Sequence, residues 1–163
     1  DVTTASIKDL HDLAAAHKIH VAAEINDIDT WLNLLLTHCI EPELGKHRPC
    51  FIYNFPASQA ALAKLNDDNT AARFEVYYCG MELANGFHEL TDANEQRKRF
   101  ENNNHQRAAQ QLNSMPIDEL FLAALAHGMP ECSGVALGID RLIMLALQQK
   151  TIRDVMSFDL GRV

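Results

Sequence analysis

The sequence predicts an α+β fold, an antiparallel sheet flanked by helices. Short β-branched and aromatic runs cluster in the middle of the 163 residues, and segments with helical periodicity lie before, between and after them. This order differs from the regular alternation that builds parallel sheets. A hydrophobic content of 47% suits one domain with a sizeable core. We therefore expect one domain over residues 1–163, with a helical lead-in over 1–48 and a sheet region over 49–163.

Two helices are predicted in the lead-in. The first is capped by Ser6 or Thr4 and carries apolar residues at helical spacing to residue 17. The second spans residues 25–39 and is nearly apolar around its later turns, which predicts burial. A proline and then Gly45 end it.

The sheet region begins with a β-branched and aromatic strand over residues 50–55, which Pro56 ends. Ser58 then begins a short helix over residues 59–65. After a polar turn, two strands are predicted to form a hairpin around Cys79-Gly80-Met81, over residues 73–78 and 82–90.

The last part of the chain is predicted to hold three helices and a strand. Asp92, with Glu95 three residues later, has the pattern of a capping box before a long charged helix that ends near residue 110. The other predicted elements are a helix over residues 117–126, a strand over 133–139 and an apolar helix over 140–147.

Composition excludes several classes of function. The net charge of −8 gives no general attraction for nucleic acid. The four cysteines form no C-x-x-C pair, which predicts reduced, mostly buried thiols and a cytoplasmic setting. The chain begins at Asp1 without a charged-then-apolar leader, and no apolar run approaches the roughly 20 residues of a membrane helix. We therefore expect neither secretion nor insertion into a membrane.

The first motif with chemical content is the run Gly-Val-Ala-Leu-Gly-Ile-Asp-Arg from residue 134. Gly134, Ala136 and Gly138 fall on one face of the predicted strand, and a row of minimal side chains marks where a ligand or another backbone approaches closely. Arg141 follows, and its planar fork suits phosphate or a nucleotide base. In the alternative, the glycines only accommodate a packed helix, Asp140 caps that helix and Arg141 is a surface residue.

The second motif is the hairpin. Strand alternation places Asn85, Phe87 and Glu89 on one face, where a carboxylate, an amide and a ring could hold an amino acid with an ammonium group and an alkyl chain. The alternative is a solvent-facing hairpin with ordinary surface acids.

Two further carboxylates of the hairpin, Glu75 and Glu82, could supply hard oxygen ligands to Mg²⁺ on a triphosphate. Strict alternation places Glu82 on the face opposite Asn85. A bulge near residues 84–86 would restore a common side, and Gly86 permits one.

The two motifs together resemble a known family. Residues 134–144 look like motif 3 of class II aminoacyl-tRNA synthetases, and residues 82–90 resemble the lysyl branch of that class. The similarity runs from Phe51 to about Phe158, and residues 1–48 match only loosely.

The resemblance implies an ATP-dependent amino-acid ligase in which ATP and a lysine-type carboxylate react to give an adenylate and pyrophosphate. Arg141 would be the catalytic residue that contacts ATP, and Glu75 and Glu82 would bind ATP through Mg²⁺. The substrate-binding residues implied by the resemblance are Asn85, Phe87, Glu89, Gly134, Ala136 and Gly138, with Glu89 reading the side-chain ammonium.

Two departures from lysyl-tRNA synthetases refine this resemblance. Ala136 stands where those enzymes have glycine, and residues 54–60 read Asn-Phe-Pro-Ala-Ser-Gln-Ala in place of a Ser-Pro-Leu sequence. Both resemble a paralogous family that attaches β-lysine to a lysine of elongation factor P. The implied partners are ATP, Mg²⁺, a lysine-type amino acid and elongation factor P, with a homodimeric parent. We hypothesise that the Ala136 methyl trims the pocket near the substrate's α-carbon.

Motifs 1 and 2 of the class precede this region and are missing from the sequence; residues 73–75 only echo motif 2. We therefore expect this chain alone to bind ATP poorly and to be inactive. One alternative is a lysyl-tRNA synthetase fragment with tRNA as acceptor, which requires an anticodon-binding barrel upstream. The other is a non-catalytic binding module, against which the retention of Glu75, Glu82, Glu89 and Arg141 argues.

Overall fold

The computed structural model describes residues 4–21, 24–159 and 161, and it confirms the predicted α+β class. Four strands form one sheet in the order β1-β2-β3-β4. These strands are β1 (Cys50–Pro56), β2 (Thr70–Tyr78), β3 (Met81–His88) and β4 (Ser133–Leu137). The α-helices are α1 (Ile7–Ala16), α2 (Ile28–Leu35), α3 (Ala93–Ala109), α4 (Glu119–His127) and α5 (Ile139–Ala146).

The chain divides into two compact units. The first comprises Asp1–Tyr53, Phe74–Gly86 and Val135–Val163, and the second comprises Asn54–Arg73 and Phe87–Gly134. The predicted site residues are therefore distributed between both units. Glu75, Glu82, Asn85, Ala136, Gly138 and Arg141 belong to the first, and Phe87, Glu89 and Gly134 to the second.

A hydrophobic core in the first unit joins α1 to α2. Of the two predicted caps, Ser6 begins α1: its Oγ accepts from the backbone N–H of Asp9 at 3.2 Å, and the Asp9 carboxylate accepts from the Ser6 N–H at 2.9 Å. This capping box fixes the first turn. The core consists of buried Leu10, Ala14, Trp31 and Leu35.

Helix α2 starts later than predicted, at Ile28 rather than at residue 25. Asp27 caps it by accepting from the Thr30 N–H at 2.8 Å, so the preceding residues lie outside the helix. The Ile25 carbonyl instead accepts from the indole N–H of Trp31 at 3.2 Å. The predicted last turns widen into a π-helical segment, Leu36–Ile40.

The prediction of a helix over residues 59–65 is wrong. Only Ala57–Gln59 forms a short 3-10 turn. The peptide groups that follow pair with strands instead: the Lys64 N–H donates to the His88 carbonyl at 2.8 Å, and the Lys64 carbonyl accepts from the Ala72 N–H at 2.9 Å. Helical hydrogen bonds cannot form while those groups are used by distant partners.

The predicted hairpin is confirmed, and β2 begins three residues earlier than expected. Cys79 and Gly80 form its turn with φ values of 52° and 72°. Two successive left-handed residues match the twist of the strands. The Cys79 N–H donates to the Gly45 carbonyl at 3.0 Å, so the turn is held against the segment after α2.

Helices α3 and α4 pack within the second unit. Asp92 caps α3 as predicted, accepting from the Glu95 N–H at 3.1 Å. Asp118 caps α4, which therefore starts after the predicted residue 117. Phe100 of α3 contacts Phe121 of α4, with ring centroids 6.2 Å apart.

Strand β4 ends at Leu137, two residues before its predicted end. Gly138 is the N-cap of α5, with no side-chain cap, and Asp140 lies inside the helix. The suggestion that Asp140 caps this helix is therefore wrong.

The expectation of mostly buried thiols is also wrong. Cys79 and Cys132 are exposed, Cys39 and Cys50 are half-buried, and all four are free. Each helix within the described ranges is too short or too polar to cross a membrane.

Candidate active site

Glu82 lies at the centre of a polar cluster in the first unit. The guanidinium of Arg141 donates to the Glu82 backbone carbonyl, and its Nη1 lies 3.8 Å from Oε2 of the Glu82 carboxylate. Asn85 donates from Nδ2 to Oε1 of the same carboxylate at 3.0 Å. The predicted ATP contact, one predicted metal ligand and one predicted substrate ligand are thus in direct contact.

Glu82 and Asn85 are in contact although strict alternation would place residues three apart on opposite faces of β3. Leu83 and Ala84, between them, are both buried. The bulge predicted for residues 84–86 would account for the common side and stays a prediction.

Gly138 lies close to both Arg141 and the hairpin. Its N–H donates to the Leu83 carbonyl at 2.8 Å. A Cβ at this position would lie 3.4 Å from Cδ of Arg141 and 3.5 Å from the same carbonyl. Both are ordinary van der Waals distances, so the space around Gly138 would accept a Cβ, and the reason for glycine at this position stays a prediction. Ala136 lies two residues before Gly138, in β4, and is exposed.

Glu75 is buried and held by a residue that the sequence analysis missed. The Tyr77 hydroxyl donates to Oε2 of Glu75 at 2.7 Å and lies 3.2 Å from Oε1 of Glu41. Burial, followed by the hydrogen bond to Glu75, raises the pKa of the Tyr77 phenol well above its ordinary value. The phenol therefore stays protonated and orients the carboxylate. The i, i+2 spacing on one strand face was the signal for this pair.

The candidate ligands for a hard cation are two carboxylates. Glu75 and Glu82 offer carboxylate oxygens, the ligands Mg²⁺ prefers, and each carboxylate is oriented by a neighbouring side chain. Within residues 4–21, 24–159 and 161, no group of three or more His, Cys, Asp or Glu side chains could hold a metal ion. Protein ligands to Mg²⁺ on a nucleotide are few, because phosphates and waters fill the other positions.

Glu89 lies against Gly134 in the second unit. A Cβ on Gly134 would collide with Oε1 of Glu89, so the carboxylate occupies the space that a side chain at position 134 would need. The Glu89 N–H donates to the Cys132 carbonyl at 3.0 Å. Gly134 thus lies directly against the Glu89 carboxylate, a contact that the sequence analysis did not identify. Phe87 is half-buried.

A fold with a four-stranded antiparallel sheet and a strand-to-helix arginine is typical of a class II synthetase. The chain belongs to the family of class II tRNA synthetases (D, K and N), whose model matches residues 11–160. This match also includes most of residues 1–48, for which only a loose similarity was expected.

The relatives found by sequence are more specific. The chain is 54% identical to the elongation factor P–(R)-β-lysine ligase of Edwardsiella ictaluri over 99% of this chain and 51% of the relative. The ligases of the same name from Sodalis glossinidius and Salmonella gallinarum are 53% and 57% identical, over 99% and 88% of this chain and 51% and 45% of the relatives. The chain therefore spans about half the length of the relatives it matches.

Proposed function

We propose that this chain is part of an ATP-dependent ligase that activates (R)-β-lysine as an adenylate and transfers it to a lysine of elongation factor P. The observation that carries the proposal is the contact of Arg141 and Asn85 with Glu82, which joins a phosphate-binding group, a cation ligand and an amino-acid ligand. The names of the relatives and the residue Ala136 support the choice of substrate.

In this proposal Arg141 binds ATP, and Glu75 and Glu82 hold Mg²⁺. Mg²⁺ would neutralise charge on the triphosphate as the phosphate bond breaks. Arg141 is 46% exposed in its side chain, so the guanidinium is accessible to a nucleotide. Tyr77 keeps the Glu75 carboxylate in one orientation.

The amino acid is bound through its polar ends. Glu89 pairs with the terminal ammonium, and Asn85 and Phe87 contact the rest of the molecule. The substrate carboxylate attacks the α-phosphorus of ATP, and pyrophosphate leaves. The ε-amine of the acceptor lysine then attacks the acyl carbon of the adenylate, an amide bond forms and AMP leaves. Positioning and charge neutralisation supply most of the acceleration.

The proposed reaction takes place in the cytoplasm. Reduced cysteines agree with the cytoplasm, where elongation factor P is found in this proposal, and all four thiols of the chain are free. The complete gene product is proposed to be a homodimer, as the family resemblance implies.

The test is transfer of labelled (R)-β-lysine by the complete gene product, with ATP, to elongation factor P or to tRNA. The proposal predicts ATP-dependent label on elongation factor P and none on tRNA. An Arg141→Met variant should lose the transfer, whereas Arg48→Met, a change to an exposed arginine, should not. Label on tRNA would favour the lysyl-tRNA synthetase alternative, and no label on either acceptor would favour a non-catalytic module.

A further inference from the structure

A cavity of about 240 Å³ lies within the second unit, beside the proposed ammonium-binding residue. Its wall is largely apolar, with Leu62, Leu90, Phe121 and Leu125 among the lining residues. The lining residues with polar side chains are Glu89, Gln96 and Ser133, and Cys132 adds a thiol. A small apolar cavity with a few convergent polar groups is the usual form of a site for a small ligand.

Gln96 is unusual for its place in the chain. It lies in the first turn of α3, a helix whose other side chains are at least partly exposed, yet Gln96 is only 1% exposed. Its amide oxygen Oε1 is buried and has no hydrogen-bond partner among the described residues. Buried acceptors are normally paired, because losing water without gaining a donor is costly.

Among the described residues, the ion pairs near the cavity do not involve Glu89. His88 and Lys64 both pair with Glu131, at 2.9 Å and 2.8 Å from its Oε1. The Glu89 carboxylate lies instead against Gly134 at the cavity. The Glu89 carboxylate and the Gln96 amide, whose oxygen accepts no hydrogen bond from the described residues, therefore line the same cavity.

We propose that Gln96 is a specificity-determining residue whose amide oxygen binds, together with the Glu89 carboxylate, the terminal ammonium of the amino-acid substrate. An ammonium has three N–H donors and no acceptor, so one group can serve both oxygens while its alkyl chain contacts the apolar wall. This inference rests on the proposed function and extends it.

The experiment varies the residue and the ligand end group together, in the complete gene product. Binding constants are measured for (R)-β-lysine and for an analogue with a methyl group in place of the terminal ammonium. Gln96→Met should weaken binding of (R)-β-lysine by about 10-fold or more, since a hydrogen bond to a charged group is lost. Binding of the methyl analogue should change by less than about 2-fold, because that ligand never made the bond.

Gln106→Met is the matched control, the same change on an exposed position of α3. If Gln96→Met does not fold, Gln96→Asn withdraws the amide by one methylene and should also reduce the preference for the ammonium ligand. Equal effects on both ligands, or none on either, overturn the role of Gln96 while the proposed function stands. If the unaltered protein binds no lysine-type amino acid, the proposed function and this inference both fail.

Discussion

At the scale of single residues, the buried pair of Glu75 and Tyr77 links stability to the predicted metal site. The phenol is 2% exposed and donates to a carboxylate that is 6% exposed. Removing the hydroxyl would leave that carboxylate short of a donor. The same contact therefore matters for folding and for orienting a cation ligand.

Tyr77→Phe should lower the free energy of unfolding by about 1–3 kcal/mol near neutral pH. The pKa of this phenol is raised in the fold, so its stabilising effect is complete below the unfolded value of about 10 and is lost as pH rises above it. The difference between the two proteins should therefore shrink above about pH 10. Urea unfolding across that range tests this, with Tyr53→Phe, at a 68% exposed side chain, as control. A difference that stays constant with pH would reject it.

Ala136→Gly should change the choice between β-lysine and α-lysine. The exposed methyl is proposed to narrow the substrate pocket, so its removal should weaken the preference for β-lysine by about 10- to 200-fold, the range for one methyl group. The ratio of kcat/KM values for adenylation of the two isomers by the complete gene product measures this. An unchanged ratio would reject this role for Ala136.

Residue types alone predicted Arg141, Glu82 and Asn85 as site residues, and these three side chains do meet in the structure. No local feature indicates that Gln96 is buried, because its neighbours are charged and the composition of the helix is that of an exposed helix. The contact between Gly134 and the Glu89 carboxylate was equally hidden, since the two residues are far apart in the chain.

At the scale of elements, the hairpin depends on Gly45. Its φ of +67° and the lack of a side chain allow the β2 backbone to pass close by. A Cβ at Gly45 would lie 2.6 Å from the Tyr77 carbonyl oxygen and from Cα of Tyr78. The segment after α2 thus supports the strand that carries Glu75.

Gly45→Ala should destabilise the protein by more than Gly80→Ala does. Both positions have positive φ, so both variants carry the strain of about 1–3 kcal/mol for a non-glycine residue there. Only Gly45 also meets backbone atoms, because the nearest atoms to a Cβ at Gly80 are 3.4 Å away. Chemical denaturation of both variants measures the difference. Equal losses would show that the close approach at Gly45 is relieved by a small shift.

The sequence-based predictions were correct for elements that are determined by contacts between residues close in sequence. The Ser6 cap, the hairpin turn and helix α3 follow from residues that contact one another within a few positions. The prediction of a helix over residues 59–65 failed because the partners of this segment, on the strands near His88 and Ala72, are distant in sequence. Strand pairing overrode the helical pattern there.

At the scale of the whole molecule, the chain forms two compact units and spans about half the length of its relatives. It carries the residues proposed for the amino acid and for Mg²⁺. The family resemblance implies that it lacks the motif 2 clamp for adenine and the α-phosphate, and this stays a prediction.

The 163-residue chain alone should therefore show no amino-acid-dependent pyrophosphate exchange, whereas the complete gene product should. The reason is that adenylate formation needs the α-phosphate held in line with the attacking carboxylate. Adding (R)-β-lysine and ATP to each protein, under identical conditions, gives the comparison. Exchange by the chain alone would mean that the residues present here suffice.

The most direct test of the central claim is (R)-β-lysine-dependent pyrophosphate exchange by the complete gene product, with and without Glu89→Gln. The account predicts a loss of about 100-fold or more in the variant, because the ammonium loses its charged partner. Glu131→Gln, at an exposed carboxylate of the same unit, should retain the exchange. Activity of Glu89→Gln equal to that of Glu131→Gln would contradict the account.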